Sequence, residues 1–405
     1  MTASSADLCA ARRPWLAVSA IGLATFSAVT TELLPVGLLT TIAADLGTTT
    51  GAAGLMLSLP AVLAALFAPL VILLAGGMDR RHILCALLAL LALTNAASAL
   101  ATTLPGMLAA RMLLGICMGG IWAVAGGLAR RLVPGHAVGL ATSIIFGGVA
   151  AASVLGVPIG ALIGDFAGWR LTFWAMSVLC LVVLALHAWT LPPLPVNGSA
   201  RLRQFVQALG ERRLPQALTL TLLLVAAHFM VFTFSRPLLM EVGQLDGRWI
   251  GPLLFGYGVA GIAGNFVAGN RAIRQPLVTL TTIAAGMLCV PLLFLLAAGT
   301  PLGASLLMLA WGLIYGGVSV ALMTWILQTQ PRSVEVASAL YVSTFNTAIA
   351  LGAWGGGELV DRLGVRANLA LAAALTALAL LLSCLAARQQ ATRPCAAGDE
   401  PADRA

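Results

Sequence analysis

The sequence has no lysine: all 22 basic side chains among its 405 residues are arginine. A phosphate-binding loop of the Walker A type depends on its lysine, so this chain does not itself carry that ATP site. Charge of either sign is scarce. Asp, Glu, Lys and Arg make up 9% of the chain and hydrophobic residues 60%, whereas an ordinary soluble domain is about 25% charged. That balance excludes a soluble globular class and points to an integral membrane protein. The cysteines at 9, 85, 117, 180, 289, 384 and 395 have neither zinc-site spacing nor a CxxC pair, and read as small apolar packing residues. No H-E-x-x-H, no G-x-S-x-G and no carboxylate pair at membrane depth occurs, so neither an enzyme nor a metal or cofactor is expected.

What the chain does have is long apolar runs. Twelve segments reach the roughly 20 residues that cross a bilayer: 15–37, 52–76, 82–102, 107–129, 138–163, 169–190, 216–239, 249–269, 276–298, 303–328, 335–357 and 367–387. The pattern predicts an all-α membrane protein. The first segment follows Arg12 and Arg13, is too long for a signal-peptide core and meets no A-x-A-like cleavage site, so it reads as a retained helix.

Arginine sets the orientation. With the N-terminus inside, positions 12, 13, 80, 81, 130, 131, 201, 203, 212, 213, 271, 274, 332, 388, 393 and 404 fall on the cytoplasmic side, against 170, 248, 362 and 366 outside. Sixteen against four is a positive-inside bias that places both termini in the cytoplasm. The longest connection, 192–215, is basic, Pro-rich at its start, and falls between two sets of six spans. The expected organisation is therefore an N-terminal half (1–191), a cytoplasmic linker (192–215) and a C-terminal half with a short tail (216–405).

The two halves repeat each other. "LGICMGG" at 114–120 matches "WGLIYGG" at 311–317 with an offset of 197, and Pro134 falls on Pro331 with the same offset. After a one-residue gap, Gly160, Asp165, Gly168 and Arg170 land on Gly356, Asp361, Gly364 and Arg366. The halves read as copies of one six-helix unit.

Two parallel six-span repeats joined by a cytoplasmic linker resemble the major facilitator superfamily. "TELLPVGLLTTIAADLG" at 31–47 resembles the first-helix signature of its twelve-span drug:proton antiporter branch. "RMLLGICMGG" at 111–120 is similar to the fourth-helix motif, and "LGVPIGALIG" at 155–164 to the fifth-helix antiporter motif, with Val157 in place of the Gly before Pro158. The loop "GGMDRRHIL" keeps Asp79, Arg80 and Arg81 of the usual gating motif without its glycine spacing. "RLVP", "GWRLTFW" and "ELLPVGLL" resemble bacterial arabinose-type and purine ribonucleoside efflux pumps. The resemblance implies a monomeric exporter in the bacterial inner membrane, with a small-molecule substrate, protons and the lipid bilayer as partners and no nucleic acid.

Within that frame the intramembrane polar residues become candidates, because a charge facing lipid costs roughly 2.5 kcal/mol or more. At 1.5 Å per residue, Glu32 lies about 9 Å and Arg111 about 10 Å to the same side of the bilayer centre. Facing one another across a polar cavity they would compensate; the alternative is that each sits near the interface, with Arg111 snorkelling. The resemblance assigns this arginine to proton coupling. Gly115, Met118 and Trp122 share a helical stripe with Arg111, and the repeat carries Met118 onto Tyr315, so Met118, Trp122 and Tyr315 are expected to line the cavity. Packing or lipid contact is the other reading for these aromatics. On the seventh span His228, Phe232 and Arg236 are further cavity candidates, with Asn265 and Asn346 from the eighth and eleventh. Pro35 weakens the first helix near Glu32. Gly156, Gly160 and Gly164, beside Pro158, and Gly352 and Gly356 form small-residue stripes that let helices pack closely and seal the outward side.

The expected function is proton-coupled export by alternating access, with Glu32 carrying the proton and Arg111 biasing it, and with a purine nucleoside, sugar or drug-like compound as cargo. An uncoupled facilitator and the membrane subunit of a separate ATPase are the alternatives.

Overall fold

The computed structural model describes residues 5–74, 78–134, 137–194, 213–297, 299–329 and 334–391, with 203, 207, 209 and 210 between them. Most of the 192–215 connection and the tail past residue 391 lie outside the described residues. Those that are described form helices and short turns with no strand. In chain order the long helices are α1 (Ser5–Asp45), α2 (Leu55–Leu74, entered through the short turn Thr50–Ala53), α3 (Arg80–Leu100) and α4 (Leu104–Leu132). Next come α5 (Val138–Ala151 and Val157–Ala167), α6 (Trp169–Thr190) and α7 (Arg213–Phe232 and Ser235–Glu241). The last five are α8 (Ile250–Arg274), α9 (Pro276–Ala297), α10 (Pro301–Gly316 and Val318–Thr329), α11 (Val334–Leu363) and α12 (Val365–Ala391). Eleven of these are long and apolar enough to cross a membrane. The remaining one, α11, is as long as its neighbours and carries the apolar run expected at 335–357.

Where helices break, the sequence supplies the reason. Gly168 and Gly364, paired by the repeat, have φ of 85° and 81° and end α5 and α11. Side chains rarely tolerate that conformation, so glycine lets each helix turn at once into the next. Within α5 a π turn, Ala152–Gly156, sits just ahead of Pro158, where the missing N–H would otherwise leave a gap in the regular ladder. In α7 the ladder lapses over Thr233 and Phe234, and Pro237 follows.

Helix packing follows the small residues. The stripe Gly156, Gly160, Gly164 of α5 lies against Thr30, Leu34 and Leu38 of α1, with no room for a Cβ at any of the three. Gly352 and Gly356 of α11 lie in the same way against Ala226, Met230 and Phe234 of α7. These stripes therefore join helices of the same set of six. Contact between the sets runs along α2–α11, α5–α8 and α1 with the second segment of α7; on α5 it uses another face, where Leu162 and the Pro158 carbonyl meet Gly251 of α8.

Candidate functional site

Three of the four prolines inside the first two helices organise the centre of the molecule: Pro35 in α1, and Pro60 and Pro69 in α2. A proline has no N–H, so the carbonyl four residues before it loses its helical donor. The carbonyls so released are those of Thr31, Met56 and Ala65. Arg111, on α4 and only 1% exposed, donates from Nη1 to Thr31 O at 2.8 Å, from Nε to Met56 O at 3.2 Å and from Nη2 to Glu32 O at 2.9 Å. Ser343, on α11, donates to Ala65 O at 2.9 Å across the seam between the two sets. Side chains from other helices thus serve all three released carbonyls. Close approach makes the fit possible, because Gly115 of α4 packs on the Pro60 carbonyl and Leu63 without space for a Cβ.

Glu32 and Arg111 are neighbours, as their shared depth implies, but the expected charge pairing is corrected. Glu32 is 7% exposed and takes part in none of the ion pairs among the described residues. The guanidinium spends its hydrogen bonds on backbone carbonyls, including that of Glu32 itself. The adjoining Thr31 hydroxyl accepts from Asn95 Nδ2 at 3.1 Å. The carboxylate is therefore buried beside a fixed positive charge each of whose three nitrogens already donates to a backbone carbonyl. Its proton can come and go without orphaning the arginine.

A second centre is aromatic and belongs to the last six helices. The ring of His228, 1% exposed, lies parallel to Tyr315 (centroids 3.3 Å apart) and Phe232 (4.9 Å), with Phe229 and Trp311 edge-on at 5.0 and 5.3 Å. Tyr257 closes on Phe232 at 5.0 Å, and Phe345 joins Phe229 to Tyr341. His228 Nδ1 and the Tyr315 hydroxyl have no hydrogen-bond partner there. Each such orphan costs about 1–3 kcal/mol. His228, Phe232 and Tyr315 are thus brought together as expected of one site. Tyr257 and Trp311 were missed, whereas Phe229 shares the helical face of Phe232 at a step of three. The signals were present: Trp311 stands four residues before Tyr315 on the same helical face, and the chain has only three tyrosines.

The remaining candidates go elsewhere. Met118 is buried among Ala28, Leu88, Leu91 and Cys180, and Trp122 packs half-buried on that cluster. Met118 is therefore packing between helices and not a cavity wall. Arg236 leaves the aromatic cluster for the end of the bundle away from the termini, where it donates to Gly37 O (2.8 Å) and pairs with Asp165 (3.3 Å). Asn265 is exposed on the outer face of α8 beside Phe266 and Val267. Its neighbours match a surface that meets lipid, which one short polar side chain does not alter. Asn346 is buried and donates to Val342 O of its own helix.

Asp79 and Arg80 tie down the start of the connection after α6 and do not bridge the two sets. Asp79 caps α3 by accepting from the Arg81 amide and also accepts from Leu194 N–H, while Arg80 N–H donates to Leu194 O. Burial raises the Asp79 carboxyl, and the Leu194 and Arg81 amides with the nearby His82 and Arg81 charges outweigh it, so the group ends below its usual range.

The end away from the termini is held shut by residues that sequence reasoning noted only as repeat positions. Asp361 of α11 accepts from Gly51 N–H at 2.8 Å and from the Thr49 hydroxyl at the entry to α2. Gly51 and Gly357 touch backbone to backbone. With Asp165–Arg236, both acidic repeat positions hold a contact between the two sets of helices.

The family model for the Major Facilitator Superfamily matches residues 21–353. The chain belongs to that superfamily. It is 32% identical over 381 residues, 93% of this chain and 95% of the relative, to the "Transcription regulatory protein OpdE" of Pseudomonas aeruginosa. Among solved structures, a bacterial homologue of the human lysosomal transporter Spinster, inward-facing and unoccupied, superposes with TM-score 0.74 at 15% identity, covering 95% of this chain and 99% of that one. The human organic anion transporter MFSD10 gives 0.67 at 19%, covering 92% and 99%. The superfamily match and these folds make the protein an all-α, multi-pass membrane protein of the secondary-transporter class.

Proposed function

We propose that the protein is a proton-coupled exporter of a small organic solute in the bacterial inner membrane, with both termini cytoplasmic, working by alternating access between two six-helix halves. The observation that carries this reading is Glu32: a buried carboxylate outside the ion pairs among the described residues, beside an Arg111 whose three nitrogens each donate to a backbone carbonyl. Binding a proton there removes a buried negative charge without breaking the arginine's hydrogen bonds, so the step is reversible at little structural cost. The closed contacts at Gly51–Asp361 and Gly37–Arg236 support a cycle in which that end, periplasmic by the arginine bias, is shut while the other admits solute. The membrane potential alone adds about 2.3 kcal/mol per charge per 100 mV. Purified protein in sealed proteoliposomes tests the reading. Solute should move against its gradient when a pH gradient is imposed and only equilibrate without one. Equal movement in both conditions would favour an uncoupled facilitator, and a need for ATP would favour the ATPase subunit.

The likeness to OpdE supports a second reading, an effect on transcription. The two readings agree if the exported solute is an inducer. A variant unable to transport should then lose the transcriptional effect, and an effect that survives in it would separate the two.

A further inference from the structure

The aromatic cluster of the last six helices has features that packing alone does not require. His228 is wholly enclosed, yet Nδ1 has no partner, and neither has the Tyr315 hydroxyl facing the same cluster. Around them stand Phe229, Phe232, Tyr257 and Trp311. The gap behind His228 has a volume of about 10 Å³ between Val231, Met287, Pro291 and Phe294, room for one water at most. Any larger occupant has to part the rings. Both ring-bearing helices break at that level: α10 is interrupted at Gly317, two residues past Tyr315, and α7 over Thr233 and Phe234, directly after Phe232. The His228–Tyr315 stack joins two interrupted helices, and it can separate without unwinding a regular turn.

We infer that this cluster is the solute site of the exporter proposed above, and that the solute is a flat, uncharged nitrogen heteroaromatic that parts His228 from Tyr315, stacks on the imidazole face and hydrogen-bonds through its edge to the Tyr315 hydroxyl swung aside from the stack. The inference rests on the transport reading and adds to it the class of cargo. A planar ring gives His228 an equivalent face when Tyr315 moves away. Its polar edge supplies the partner that the Tyr315 hydroxyl lacks. A sugar fits poorly, because it has no planar ring to replace the face that His228 loses. An anion fits poorly as well, because its charge would be buried among rings, with Arg236 held on Gly37 O and Asp165 at the end of the bundle and Arg111 on the carbonyls of α1 and α2.

Calorimetric titration of the detergent-purified full chain with four probes tests this: 4-hydroxyquinoline and adenosine as flat neutral heteroaromatics, arabinose as a sugar and benzoate as a flat anion. Saturable binding of at least one of the first two, with none of arabinose or benzoate, is expected. Tyr315→Phe keeps the ring and removes the hydroxyl, and should weaken that binding about fivefold. His228→Ala removes one face of the stack and should weaken it about 5- to 100-fold. If His228→Ala does not fold, judged by thermal melting of the same sample, the milder Tyr315→Phe carries the test. Failure of both flat probes to bind, or an affinity unchanged in Tyr315→Phe, overturns the inference. If arabinose or benzoate is instead driven by a pH gradient in proteoliposomes, the transport reading stands and this solute class falls.

Discussion

Arg111 gives the sharpest test of how the centre is held together, because its hydrogen bonds go to carbonyls that prolines have deprived of donors. Arg111→Met should leave Thr31 O and Met56 O buried and unpaired, a penalty of about 1–3 kcal/mol each. Removing a buried charge returns part of this, so the single variant alone is ambiguous. A double-mutant cycle with Pro35→Ala removes the ambiguity. Alanine at 35 restores the N–H that Thr31 O lacks, so Arg111→Met should cost about 1–3 kcal/mol less in that background. Pro69→Ala is the control: its released carbonyl, Ala65 O, is served by Ser343 and not by Arg111. Pro69→Ala should therefore be additive with Arg111→Met, within about 0.5 kcal/mol, and coupled to Ser343→Ala. Equilibrium unfolding of the purified variants in one detergent supplies the numbers. Additivity of Pro35→Ala with Arg111→Met would refute the account, as would equal coupling of Arg111→Met to both prolines.

Two further outcomes follow from the contacts between helices. Thr49→Cys with Asp361→Cys should form a disulfide where the two side chains now hydrogen-bond, and the cross-link should stop transport until reduced; full transport with the cross-link in place would show that this end does not open. Asp79→Ala should lose about 1 kcal/mol through the α3 cap and free the segment at Leu194, read as faster proteolysis after α6; an unchanged cleavage pattern would show that Asp79 does not hold that segment.

The fold was largely legible because a membrane span announces itself by length and apolarity. The eleventh span, α11, was marked as well by its repeat partner α5 and by Gly364. The interruptions of α7 and α10 were less so. Pro237 hints at the first, but nothing in "YGGVS" distinguishes a broken helix from a closely packed one. For the site, depth placed Glu32 beside Arg111, yet counting charges alone suggested an ion pair. Counting the carbonyls released by Pro35 and Pro60 would have pointed to the observed bonds. A single helical stripe led to Met118 and Trp122 on α4, where the repeat-related stripe on α10 carries the aromatic cluster instead. The copies share a backbone plan, and the side chains at matching positions have taken different work. Asn265 was chosen for polarity alone, and a helix's apolar period does not say which side meets lipid when small residues occupy both.

The central claim is that Glu32 carries the coupling proton, and Glu32→Gln tests it most directly when stability and transport are measured on the same preparation. Since Arg111 is bonded to carbonyls and not to the carboxylate, the variant should fold with a loss well under the roughly 3 kcal/mol expected of a broken buried pair. In proteoliposomes it should still exchange solute across the membrane and should lose accumulation driven by a pH gradient. A stable Glu32→Gln protein that accumulates solute at the wild-type rate, with the wild-type pH dependence, would contradict the account.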